Sequence, residues 1–221
     1  KLADIGLDTS IDTPARQAQL AAALPIGVAM SASGPTTLLT GTQASADLLG
    51  RLNQKAATPD ASEMLAAAQS FLASLGGNSV LDKTITLTAS AAPADTPLLT
   101  GNSAKLEAIV LDARGLAANS TVQLDNVDFS AVLGALRVTG GAGHNRIVGD
   151  ASAQWFAMGA GNDAISGGAG NDVLTGARSD VGQWQFYLDA NGAIQANLQS
   201  TEIAASGLDS KASDANFLDL R

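Results

Sequence analysis

Apolar residues follow two spacings along this chain, and the change falls near Ser79. Before it, they recur at the three- and four-residue intervals of helices. Ala15 to Leu24 is rich in strong helix formers, and Asp12 or Thr13 followed by Pro14 reads as a capped helix start. A second helix is predicted over Ala44 to Lys55, with Leu48, Leu49 and Leu52 on one face. A third begins near Thr58-Pro59-Asp60 and carries Met64, Leu65, Ala68, Phe71, Leu72 and Leu75 at helical spacing, until Gly76-Gly77-Asn78 stops it. The expectation for residues 1–79 is a small helical subdomain without chemistry of its own.

After Ser79 the pattern becomes that of strands. Thr84-Ile85-Thr86-Leu87-Thr88 alternates with period two inside a strand predicted over Val80 to Thr88. A Pro/Ala/Asp loop covers Ser90 to Pro97, and further strands are predicted at Ala108 to Leu111, Thr121 to Leu124 and Ala135 to Thr139. Short strands parted by Gly, Asn and Asp turns suggest a solenoid or a sandwich.

The segment from Gly140 to Gly176 has a sharper rhythm. In nines it reads GGAGHNRIV from 140, GDASAQWFA from 149, MGAGNDAIS from 158 and GGAGNDVLT from 167. The eighth position holds Ile147, Phe156, Ile165 and Leu174, and the same period carried upstream meets Val138 and Phe129. A flexible Gly-rich linker has no reason to keep apolar residues in such register. Six residues of turn and three of strand make each unit. Two units close one turn of a flattened coil, and successive turns stack at about 4.8 Å as parallel strands. Such a core is one side chain thick. The turns gather carbonyl oxygens, to which Asp163 and Asp172 add carboxylates. Crowded oxygens repel unless a hard cation sits among them, and calcium takes about 6–8 of them.

GAGNDAISGGAGNDVLTG, residues 159–176, resembles the RTX (repeats-in-toxin) calcium-binding nonapeptide of type I-secreted bacterial proteins. The resemblance implies an RTX-type β-roll over 140–176. It also implies calcium ligands from the turns of Gly159, Gly161, Gly168 and Gly170 and from the carboxylates of Asp163 and Asp172. Alternate units share an edge, so Asp163 is expected beside the turn of Gly141, Gly143 and Asn145, and Asp172 beside residues 149–154. Asn145 and Gln154 stand where the family has Asp, Ser152 replaces a turn glycine, and Arg178 and Ser179 break a fifth unit. One good site and one or two partial ones are expected, with Asp163 the more important carboxylate.

Composition narrows the functions open to the chain. The net charge is −9 and the pI about 4.3, which argues against nucleic acid and anionic lipid as partners and suits the collection of cations. No run of 18 apolar residues is present, so no transmembrane helix is predicted. There is no cysteine and a single histidine, His144, placed in a turn. Zinc-protease, nucleophile-elbow and P-loop motifs are absent. Trp155 and Trp184 read as fillers before sugar platforms, and Asp125 and Asp128 as turn residues, with an extra calcium ligand as their alternative. The start at Lys1 rather than Met is expected of a processed form or a piece of something longer.

The reading is therefore an α+β chain: a helical subdomain over 1–79, then a parallel β-solenoid over 80–221 with the calcium β-roll and an irregular cap, in which Gln183 to Leu188 is a strand. The expected function is a non-enzymatic, secreted calcium-binding module of a surface protein such as an adhesin, S-layer or matrix protein. It would have calcium, and a copy of itself or a cell surface, as partners. The alternative is the folding and secretion appendage of a secreted protease, lipase or epimerase whose catalytic domain lies elsewhere.

Overall fold

The structure is a computed structural model that describes residues 2–7, 18–56, 60–93, 95–102, 105–141, 143–160, 163–175, 184–188 and 194–198, with side chains from Leu20 to Thr175. Three strands come first, β1 (Leu2–Leu7), β2 (Ala18–Ala23) and β3 (Val28–Ser33). Two helices follow, α1 (Gly41–Lys55) and α2 (Ala61–Ser74). Ten strands succeed them: β4 (Val80–Ala89), β5 (Leu98–Gly101), β6 (Leu106–Gly115), β7 (Ser120–Asp125), β8 (Phe129–Leu133), β9 (Leu136–Gly140), β10 (Arg146–Gly149), β11 (Trp155–Ala157), β12 (Ala164–Ser166) and β13 (Val173–Thr175). The last two described are β14 (Trp184–Leu188) and β15 (Ile194–Leu198).

From β4 to β13 the chain alternates between two sheets. Even-numbered strands lie in a six-stranded sheet ordered β12-β10-β8-β6-β4-β3, and odd-numbered ones in a nine-stranded sheet ordered β1-β2-β5-β7-β9-β11-β13-β14-β15. Neighbours within this run pair in parallel. Antiparallel strands, β1 to β3 and β14 to β15, flank it at both ends. The sheets are thus mixed, where a parallel solenoid was expected throughout from residue 80. One apolar cluster fills the space between the sheets and includes Leu81, Ile85, Ile109, Leu111, Val138 and Phe156. A second lies between the six-stranded sheet and the helices, and joins Leu48, Leu52, Met64 and Phe71 to Val110, Phe129, Ala131 and Val148. Strands β4, β6 and β8 are therefore buried on both faces.

The two later helices form where their spacing predicted them, and their apolar stripes face the sheet. The first does not: residues 18–23 are β2, and the proposed start at Asp12 to Pro14 lies outside the described residues. Helix propensity is a weak prior that tertiary partners override. Here β5 supplies an antiparallel partner, and Leu20 and Ala22 enter the inter-sheet core while Ala21 and Ala23 do not. Residues 1–79 thus hold three strands as well as two helices.

The nine-residue ladder needs one correction. Phe156 lies opposite both Val138 and Leu174, and Ile147 opposite Ile165, as the period requires. Ile147, however, pairs upstream with Ser130, not Phe129. Arg146 opposite Phe129 makes that coil 17 residues, against 18 for Arg146 opposite Ala164. A one-residue shift sends a side chain to the other face, so Phe129 leaves the ladder and stacks on Phe71 of α2 with ring centroids 5.2 Å apart.

Candidate metal centre

The turns of the coil fall on two edges. On the first, Gly141 and residues 143–145 precede β10, and residues 158–160 with Asp163 precede β12; on the second, residues 150–154 lead into β11 and 167–172 into β13. Parallel pairing brings each turn over its counterpart one coil earlier. The Asn145 N–H donates to Asp163 Oδ1 at 3.0 Å, and the Gln154 N–H donates to Asp172 Oδ1 at 2.8 Å. Asp163 thus lies beside the turn of Asn145, and Asp172 beside that of Gln154.

Each carboxylate keeps its second oxygen. Asp163 Oδ2, Asp172 Oδ2, Asn145 Oδ1 and Gln154 Oε1 are all buried without a hydrogen-bond partner. Such atoms are rare, because an unsatisfied buried oxygen costs about 1–3 kcal/mol. Backbone oxygens crowd the same places. A Cβ on Gly168, whose φ is +77°, would lie 2.7 Å from the Asp150 carbonyl oxygen, and one on Gly159 would strike that of Gly141. Gly170 stands over the Ser152 carbonyl in the same way. Glycine is needed because the chain presses its Cα against the carbonyls of the preceding coil.

Burial pushes Asp172 up to about 6. The Gln154 N–H opposes that rise, and the Asp150 and Glu63 carboxylates add to it. Burial also raises Asp163, against the pull of the Asn145 N–H and the charge of His144. Negative charge is thus costly here until a cation accompanies it. The donors are carboxylate, amide and carbonyl oxygens, the set a hard cation prefers. Among the described residues no cluster of three His, Asp or Glu side chains exists, so carbonyls must complete any shell.

The other expected ligands are placed as follows. Gly141 and Gly143 lie on the first edge, where the Gly143 N–H donates to the Ala160 carbonyl at 2.8 Å. Gly168 and Gly170 lie on the second, and Gly161 lies outside the described residues. Asp172 is the more enclosed of the two carboxylates, only 1% exposed. Spacing had ranked Asp163 first; enclosure ranks Asp172 first.

Two residues carry more than spacing indicated. Gln154 Nε2 donates to the Gly134 carbonyl at 3.2 Å and to Asp150 Oδ1. Asp150 accepts from the Gly134 N–H at 2.9 Å and the Ser152 N–H at 3.0 Å. The turn that lacks its consensus glycine is therefore tied by its own side chains to the coil before it. On the other edge Asn145 Nδ2 donates to the Val127 carbonyl at 2.9 Å. Both amides turn their NH₂ to the earlier coil, and their oxygens accept no hydrogen bond. Asp150 had a visible signal, being an acid inside a turn.

Compared with known proteins, residues 137–153 and 159–180 match the family model of the RTX calcium-binding nonapeptide repeat. No curated protein and no solved structure matches the chain.

Proposed function

We propose, from the premise that its roll is made of RTX calcium-binding nonapeptide repeats, that this chain is an extracellular structural and interaction module whose last coils fold on external calcium. The observation that carries the reading is the set of buried, unpartnered oxygens on Asn145, Gln154, Asp163 and Asp172, in turns that each repeat carboxylate ties to the coil before it. Asp163 and Asp172 would supply charge, the two amides neutral oxygen, and the turns around Gly141, Gly143, Gly159, Gly161, Gly168 and Gly170 their carbonyls. Calcium bound there neutralises the carboxylates and joins one coil to the next.

The repeat is a structural calcium-binding element, and an acidic chain that requires the ion suits a type I-secreted bacterial surface protein of the adhesin, S-layer or matrix kind. Such a chain leaves the cell unfolded where calcium is scarce and folds where it is abundant. Extracellular calcium modules bind with Kd of about 10⁻⁴–10⁻³ M. At ten times Kd each site contributes about 1.4 kcal/mol, a large share of what a three-residue strand can gain by burial. Hydrogen exchange of the full chain, in millimolar calcium and in chelator, tests it. Protection of residues 146–175 should fall on chelation while that of β4, β6 and β8 stays; equal protection of 146–175 in both conditions would refute the reading.

A further inference from the structure

We propose a second kind of calcium site in this chain, upstream of the nonapeptide repeats, built on Glu107 and Asp128 with the Asn126 carbonyl. These residues lie on the first edge of the coil, one and two coils before Asn145. Ala108 pairs with Phe129 and Phe129 with Arg146, so Glu107, at the start of β6, and Asp128 and Asn145, just before β8 and β10, occupy successive rungs.

The backbone pattern repeats that of the metal centre. The Glu107 N–H donates to Asp128 Oδ2 at 2.9 Å, as Asn145 does to Asp163 and Gln154 to Asp172. Asp128 therefore holds the coil before it in the way the repeat carboxylates do.

A second observation points to a ligand. Glu107 is fully buried, at 0% exposure. Its Oε1 accepts from the Asn102 N–H at 3.1 Å, while Oε2 has no hydrogen-bond partner. That oxygen and a carbonyl oxygen both lie over Gly101, which has no side chain. A Cβ on Gly101 would stand 2.7 Å from Glu107 Oε2 and would collide with the Asn126 carbonyl oxygen. Asn126 itself is left-handed, with φ 52°, in the turn that presents this oxygen.

The Glu107 and Asp128 side chains are also within hydrogen-bonding reach of each other. Two carboxyl groups so placed need a positive charge or a proton to hold them. An open cavity of about 600 Å³ lies beside them, lined in part by Asn102, Asn126 and Asp128, with Lys105 and His144 also on its wall. Two carboxylates and a carbonyl are oxygen donors of the kind calcium takes. Nine-residue spacing does not reveal the pair, because these coils are 21 and 17 residues long.

The site is independent of the repeats and can be tested apart from them. Calcium binding to the full chain is measured by isothermal titration and by equilibrium dialysis with radioactive calcium. The double variant Asp163→Asn with Asp172→Asn disables the repeat carboxylates. It should still bind one calcium, and adding Glu107→Gln should abolish that binding. Glu107→Gln alone should lower the stoichiometry by one and leave the calcium-dependent protection of residues 146–175 in place. Asp128→Asn keeps an acceptor for the Glu107 N–H and should give the same loss, which guards against a folding defect in Glu107→Gln; circular dichroism checks both. Failure of the double variant to bind any calcium, or an unchanged stoichiometry in both single variants, overturns the proposal and leaves a shared proton or the Lys105 ammonium as what holds the pair. If residues 146–175 prove indifferent to calcium while the double variant still binds one ion, the repeat reading fails and this one stands.

Discussion

The coils from β4 to β9 and those from β10 to β13 share a winding and differ in what holds them. β4 and β6 each run 10 residues, and with β8 they have apolar partners on both faces, inside the roll and under α1 and α2. β11, β12 and β13 are three residues each, and no residue of β12 or β13 is fully buried. A Leu or Phe buried on folding contributes about 1.5–3 kcal/mol. The helix-backed coils gather many such terms, while each late coil gathers about one per strand. The same backbone path is thus a conventional core at one end and, on the proposed reading, a cation-dependent stack at the other.

Removal of a core side chain from the helix-backed part should have the largest effect. Phe129→Ala deletes a fully buried ring stacked on Phe71 and should cost about 3–5 kcal/mol. Urea unfolding should give the same loss in calcium and in chelator. A loss that depended strongly on calcium would erase the distinction between the two regions.

Next in size are the repeat carboxylates. Asp172→Ala should weaken the tightest site at least tenfold, about 1.4 kcal/mol, and Asp163→Ala less, because Asp172 is the more enclosed. Isothermal titration of the two variants decides the order, and the reverse order would restore the ranking that spacing alone suggests.

Proton concentration should act on the calcium-free form. The folded state keeps the Asp172 proton up to about pH 6, whereas the ordinary value is 3.8, so between these values the folded chain binds more protons than the unfolded one. Stability without calcium should therefore fall as pH rises through that window. Asp82, raised to about 7, and Glu107, raised to about 9, both mainly by burial, prolong the decline. Saturating calcium should remove the Asp172 part and leave the Asp82 part. Thermal melts from pH 4 to 8, with and without the ion, read both.

The smallest effect belongs to Asn145→Asp. Charge count at the ligands favours tighter binding, which is what spacing leads one to expect. The Asn145 NH₂, however, donates to the Val127 carbonyl, and a carboxylate there would face that oxygen without a hydrogen. The two terms oppose, and calcium affinity should change less than threefold while the calcium-free form loses about 1 kcal/mol. Titration and chelator melts on this variant separate the terms.

Residue pattern alone determined the helices around Leu48 and Phe71, several of the strands, and the stacking of Val138, Phe156 and Leu174. It also put Asp163 beside Asn145 and Asp172 beside Gln154, because a repeat of two nines fixes which turns share an edge. These features depend on periodicity, which a linear string records. Tertiary structure decided the rest. Residues 18–23 became a strand because β5 offered an edge, against the preference of their alanines. Phe129 left its ladder because one coil is a residue short. Asp150 and Gln154 close a turn that looks worn in the string, and Glu107 meets Asp128 across a coil of irregular length. In each case the deciding partner lies a whole coil or more away, at a distance set by loop lengths that no local spacing encodes.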